Sequence, residues 1–201
     1  MKIFILRHED RPQDCSFFSP LTKVGLENSV ELIKILDKCE INLIFSSPFI
    51  RTLQTIYPYA SSKNLYINVD YSLSELHHPD LIPKQAVGMS LPEYLAESFK
   101  VDPECVSKIK PDEIVYPETQ KDLELRVRRF FKELMIKYHK TKYNIVIVTH
   151  KAVCGVILNI IAKINDNLRN TILSPEFIDG YDKGKLSLIW NSNKWTFKQL
   201  N

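Results

Sequence analysis

Three short apolar runs, each leading to a particular kind of polar group, constrain the fold of this chain more than any other feature. Residues 3–6, Ile-Phe-Ile-Leu, run directly into Arg7 and His8. Residues 144–149 run into His150, and Ile44-Phe45-Ser46-Ser47-Pro48 leads to Arg51. Short apolar runs of this kind read as buried strands. In an open α/β sheet, ligands bind beyond the carboxyl ends of the strands. Two imidazoles and two guanidinium groups thus have one crevice in which to meet, and their chemistry suits a phosphate.

The segments between these runs carry helical spacing. Leu26, Val30, Ile33 and Leu36 follow it, with Thr22 as a cap. Pro48 behind Ser47 reads as a first-turn proline after an N-cap, which puts Arg51 about one turn into the next helix. The clearest helix covers 121–140, with Leu123, Val127, Phe130, Phe131, Leu134 and Tyr138 on one face. Arg126, Arg128, Arg129 and Lys132 spread around its other sides. A helix carrying Val153, Val156, Ile157, Ile160 and Ile161 is expected after His150, and a hairpin around 191–194 ends the chain. The expected class is α/β: a three-layer sandwich whose central sheet is mainly parallel and flanked by helices.

Residues 76–117 differ in character. They contain Pro79, Pro83, Pro92, Pro103, Pro111 and Pro117, with one short helical signal at Ser90-Leu91-Pro92-Glu93, a capping-box pattern. A long irregular segment in a compact domain is often functional. We read it as a lid-like insertion within a single domain of 1–201, the alternative being an excursion that merely packs on the sheet.

Composition excludes several classes. A net charge of +3 is too small to argue for nucleic acid. The most basic stretch, 137–142, reads as a solvated helix end, where lysines suit the helix dipole. The apolar stretch 145–161 is interrupted by Thr149-His150-Lys151, so no membrane span is expected. The chain opens on a core strand rather than a signal peptide. Cys15, Cys39, Cys105 and Cys154 lack metal-site or disulfide-frame spacing, which predicts reduced thiols in a cytoplasmic protein. His77 and His78 are adjacent, and neighbours on a regular element point different ways, which argues against a metal pair.

Taken in order, the motifs resemble the histidine phosphatase superfamily, also called the phosphoglycerate mutase-like family. The residues that carry the resemblance are Leu6-Arg7-His8, the stretch from Ser46 to Thr55 with Arg51 and Gln54-Thr55, Leu73-Ser74-Glu75, and Thr149-His150. A weaker echo is Pro117-Glu118 with Arg126. Where the family carries glycine after each histidine, this chain has Glu9 and Lys151. An outward Glu9 is expected, because a carboxylate beside a phosphate is costly.

The resemblance implies a phosphoglycerate mutase-like fold and a cofactor-independent, histidine acid phosphatase-like phosphomonoesterase. In that reading His8 is the nucleophile that becomes a phosphohistidine, and Glu75 is the general acid and base. Arg7, Arg51 and His150 hold the transferred group, and Arg11, Asp14 and Lys151 are possible substrate contacts. Glu93, Glu113 and Glu118 are rival acids. No metal or other cofactor is required, since the arginines and histidines supply the positive field. The partner is a small-molecule phosphomonoester or a phosphopeptide. The alternatives are a phosphoglycerate mutase-type phosphotransferase, or a catalytically silent scaffold with the same fold.

Overall fold

A computed structural model describes residues 1–164, 185–191 and 194–199. Four strands lie parallel in the order β3 (Ile67–Val69), β2 (Leu43–Ser46), β4 (Asn144–Thr149), β1 (Lys2–Arg7). Two antiparallel strands, β5 (Lys185–Asn191) and β6 (Lys194–Gln199), extend the β1 side. β5 and β6 form the expected closing hairpin, whose tip at 192–193 lies outside the described residues.

Period-two alternation splits the strands between two cores. Ile3, Ile5, Phe45, Ile145 and Ile147 face one side, against α4 (Gln120–Tyr138) and α5 (Lys151–Ile164). Phe4, Leu6, Ile44, Val146 and Val148 face the other, against α1 (Lys23–Asp37) and α2 (Ile50–Ser62). This is the expected three-layer arrangement. No helix among the described residues is long and apolar enough to cross a membrane.

α4 buries Leu123, Val127, Phe130, Phe131 and Leu134, and α5 buries Val153, Val156, Ile157, Ile160 and Ile161, as their spacing predicts. Thr22 caps α1 by accepting from Gly25 N. The buried face of α1, however, is Gly25, Ser29, Leu32 and Leu36, while Leu26 and Val30 are exposed. The helix turns its small residues inward because the loop after β1 passes too close for large ones. A Cβ on Gly25 would lie 2.2 Å from the carbonyl oxygen of Asp10.

Two helix starts also differ from expectation. α2 begins at Ile50 behind Phe49, so Pro48 precedes the helix and Arg51 sits in its first turn. Phe17 O instead accepts from Ile50 N at 3.2 Å. α3 (Glu93–Ser98) follows Pro92 without a side-chain cap, so the Ser90 capping box does not form.

Segment 76–117 is anchored at several points. Ile82 and Ala86 share a cluster with Phe17 and Phe49, and Leu91, Leu95 and Phe99 pack on the α1–α2 core. Ile67 pairs with Val101 in an isolated parallel bridge beside β3.

Candidate active site

Register brings the site together. Arg7 pairs with Thr149, and Ser46 with Val148, at the carboxyl ends of β1, β4 and β2. The next residues continue the ladder: His8 N donates to Thr149 O at 2.9 Å, and Ser47 N to Val148 O at 3.0 Å. His8, His150 and Ser47 therefore emerge from three neighbouring strands at one level. The imidazole centroids of His8 and His150 are 5.3 Å apart, with the rings at 63°.

The tautomer of His8 follows from its partner. Nδ1 lies 2.7 Å from the carbonyl oxygen of Glu9, which can only accept, so Nδ1 is the donor. In a neutral ring, Nε2 then carries the lone pair. Burial, reinforced by the charge of Arg51, lowers the His8 pKa to about 3, so the ring is neutral near pH 7. His150 is fully buried and also held well below its ordinary pKa, first by burial and then by Arg51. Its Nε2 bonds Ser47 Oγ at 2.8 Å, while Nδ1 is buried without a hydrogen-bond partner.

Arg51 is a cation brought inside the protein. Its guanidinium stacks 4.5 Å from the Phe49 ring centroid and donates to Ser16 O at 2.9 Å. Phe49 in turn packs edge-on against His150, 4.9 Å between centroids. Burial lowers the Arg51 pKa to about 10, which leaves it charged at neutral pH. Its Nε is buried and lacks a partner. Unpaired buried donors are costly unless something answers them, so Arg51 Nε offers a ready bond to an anion.

Glu75 follows a 3-10 turn at Tyr71–Leu73, held by Thr149 Oγ1 donating to Leu73 O at 2.6 Å. One carboxylate oxygen accepts from Leu76 N at 2.9 Å, and the other stands 3.9 Å from His150 Nδ1. Burial raises the Glu75 pKa, against the opposing pull of that N–H and of Arg51. A carboxyl kept closer to its protonated form beside neutral imidazoles is suited to proton donation.

Other sequence-predicted positions take different places. Arg7 and Arg11 are half-buried, and both charges bear on His8. Arg11 donates to Pro12 O at 2.7 Å. Asp14 and Lys151 are exposed, Lys151 as the first residue of α5. Glu9 does turn away, accepting from Asn28 Nδ2 at 3.1 Å, while its N–H donates to Thr55 Oγ1. Among the rival acids, Glu93 and Glu113 are exposed. Glu118 is buried and committed to Arg126, which departs from the expectation that Arg126 lies on an outer side of α4. Ser47 and Phe49, both against His150, lie in the family stretch 46–55, but the sequence offered Ser47 only as a helix cap and gave Phe49 no role. Among the described residues, no group of three His, Cys, Asp or Glu side chains could hold a metal ion.

Residues 11–175 match the family model of the histidine phosphatase superfamily (branch 1). No curated protein matches the chain. Solved structures similar in fold include the ecdysone phosphate phosphatase of Bombix mori in complex with tungstate. That pair has a TM-score of 0.69 and 12% identity, covering 98% of this chain and 91% of the other. The mycobacterial glucosyl-3-phosphoglycerate phosphatase with VO3 gives 0.64 and 18%, over 98% and 97%. The alpha-ribazole phosphatase of Shigella flexneri gives 0.60 and 22%, over 100% and 96%.

Proposed function

The chain belongs to the histidine phosphatase superfamily, and from that premise we propose that it hydrolyses phosphomonoesters through a phosphohistidine at His8. One observation carries the reading. The Nδ1–H of His8 is committed to Glu9 O, which leaves the Nε2 lone pair for attack beside the ring of His150.

In the first step, Nε2 attacks phosphorus in line, the P–N bond forms and the P–O bond to the leaving group breaks. Glu75 gives its proton to the departing alkoxide. Arg51, Arg7 and a His150 N–H stabilise charge on the equatorial oxygens. In the second step, Glu75, now a carboxylate, takes a proton from water as its oxygen attacks phosphorus. The P–N bond breaks, releasing inorganic phosphate and restoring neutral His8.

Hydrolysis is favoured over mutase-type transfer because the similar structures above are all named phosphatases. Arg11 is the best-supported substrate contact, since its charge bears on His8, Arg51 and His150. Segment 76–117 would serve as the lid of this single domain. Ile82 and Ala86 share the cluster of Phe49, the ring lying against His150. The scattered spacing of Cys15, Cys39, Cys105 and Cys154 in the sequence supports a cytoplasmic location.

The test is phosphate release from a panel of small phosphomonoesters and a phosphopeptide, with a chelator present. Rapid quenching is expected to trap phosphate that is stable to base, labile to acid and attached to His8. His8→Ala is expected to lose turnover by at least ~10³-fold while folding normally. An active His8→Ala enzyme, or phosphate on another residue, overturns the mechanism.

A further inference from the structure

The Arg126–Glu118 pair lies beneath the loop that carries Glu75, and its bonding pattern is directed at that loop. Arg126 uses all five of its donors. Nε and Nη2 form a two-pronged contact with Glu118, at 2.6 and 2.9 Å. Nη1 donates to the carbonyls of Ser72 and Ser74, at 2.7 and 2.9 Å, and Nη2 to that of Glu75 at 3.0 Å. Glu118 completes the frame by accepting from His77 N at 2.9 Å. Four backbone groups between residues 72 and 77 are thus tied to one buried ion pair.

Such a pair is a poor device for stability alone, because taking two charges out of water costs about as much as their attraction returns. Its geometric value is larger. A planar fork with five fixed donors defines positions in a way that a flexible ammonium does not. Among the described residues, the Glu75 carboxylate accepts a single hydrogen bond, from the adjacent Leu76 N–H. Where it sits beside His150 is therefore decided by its backbone, and Arg126 grips that backbone by three carbonyls.

We propose that Arg126, locked by Glu118, is a positioning residue that aims the Glu75 carboxyl at the leaving-group oxygen. Arg126 touches no substrate in this assignment, which rests on the phosphatase reading above. A misplacement of the acid by about 1 Å is enough to cost roughly 10²-fold in rate.

The experiment compares single-turnover transfer from an alkyl phosphate and from p-nitrophenyl phosphate. Arg126→Lys keeps the charge and loses the fork, and Glu118→Gln keeps the arginine and loosens it. Each is expected to slow the alkyl ester about 10-fold or more, and p-nitrophenyl phosphate much less, since its leaving group needs little protonation. In a Glu75→Gln background the same changes are expected to add little, because there is no acid left to aim. Equal losses for both esters, or full additivity with Glu75→Gln, overturn the assignment and leave the pair purely structural. If Arg126→Lys fails to fold, Glu118→Gln alone decides by the same criteria. Absence of turnover by the wild-type protein on either ester is a different result, since it overturns the phosphatase reading itself.

Discussion

Ser47 Oγ lies 2.8 Å from His150 Nε2 and joins side chains 103 residues apart in sequence. The bond links the residue just past β2 to the residue just past β4, and Phe49 N also points at the same oxygen from 3.4 Å. With His150 neutral, this hydroxyl can serve either tautomer, donating to Nε2 or accepting from it. When Oγ donates to Nε2, the proton of the ring resides on Nδ1, the nitrogen 3.9 Å from Glu75.

Ser47→Ala is expected to leave a second buried nitrogen of His150 without a partner. An orphaned buried group costs about 1–3 kcal/mol, so kcat is expected to fall roughly 5- to 100-fold. The measurement is steady-state turnover of p-nitrophenyl phosphate, with circular dichroism to check folding. An unchanged kcat would free His150 from any dependence on Ser47.

Glu75→Gln removes the transferable proton while keeping the shape. Alkyl phosphate hydrolysis is expected to fall by about 10²–10⁴-fold, and phosphorylation by p-nitrophenyl phosphate far less. Single-turnover rates are needed, because in the proposed mechanism Glu75 also activates water in the second step. Equal losses in the first step would move the acid role to another group.

His77 offers a clean pH prediction. Burial, with the charge of Arg126 behind it, lowers its pKa from 6.5 to about 4. Between those values the unfolded chain takes up a proton that the folded protein refuses, so stability falls as pH drops, by about 1.4 kcal/mol per unit. Above 6.5 neither state is protonated and the effect vanishes. His77→Phe is expected to gain on the wild type by about 2 kcal/mol between pH 6.5 and 5, read from urea unfolding at both pH values. A constant difference between the two proteins would mean that His77 titrates alike in both states.

Gly25→Ala tests the approach of α1 to the loop that leaves His8. The new methyl would meet Asp10 O at 2.2 Å, and that oxygen also receives Thr22 N at 3.0 Å. Backbone must move, at about 1–3 kcal/mol, which lowers Tm by about 2–4 °C per kcal/mol in a chain of this size. A Tm equal to that of the wild type would mean that the helix slides aside without cost.

β1, β2, β4, α4 and α5 were legible because each buries a regular apolar pattern, whereas β3, only three residues long, carries too little pattern to be read. The meeting of His8, Arg51 and His150 was legible for a related reason, since strand ends in one parallel sheet share a level. α1 was misread on its apolar face because its closest packing uses Gly25 and Ser29, which carry no hydrophobic signal. Arg126 was legible only as a weak family echo with Pro117-Glu118, and its burial escaped because an arginine on a helix reads as solvent-facing. Its burial depends on Glu118 eight residues upstream and on carbonyls more than fifty residues away. Ser47 escaped for a similar reason: Ser-Pro reads locally as a helix start, while the hydroxyl is used across the sheet.

β4 lies between β2 and β1, and this order has a consequence for the newborn chain. The ribosome delivers His8, Arg51 and Glu75 well before it delivers residues 144–150. Until that strand arrives, β1 and β2 have no shared neighbour, and His8 lacks the Thr149 carbonyl that receives its N–H. A fragment ending short of Asn144 carries His8, Arg51 and Glu75 but lacks the strand between β2 and β1 that brings them to one level, so it is expected to be inactive. Under the proposed function, activity would therefore report that synthesis has passed the interior strand of the sheet.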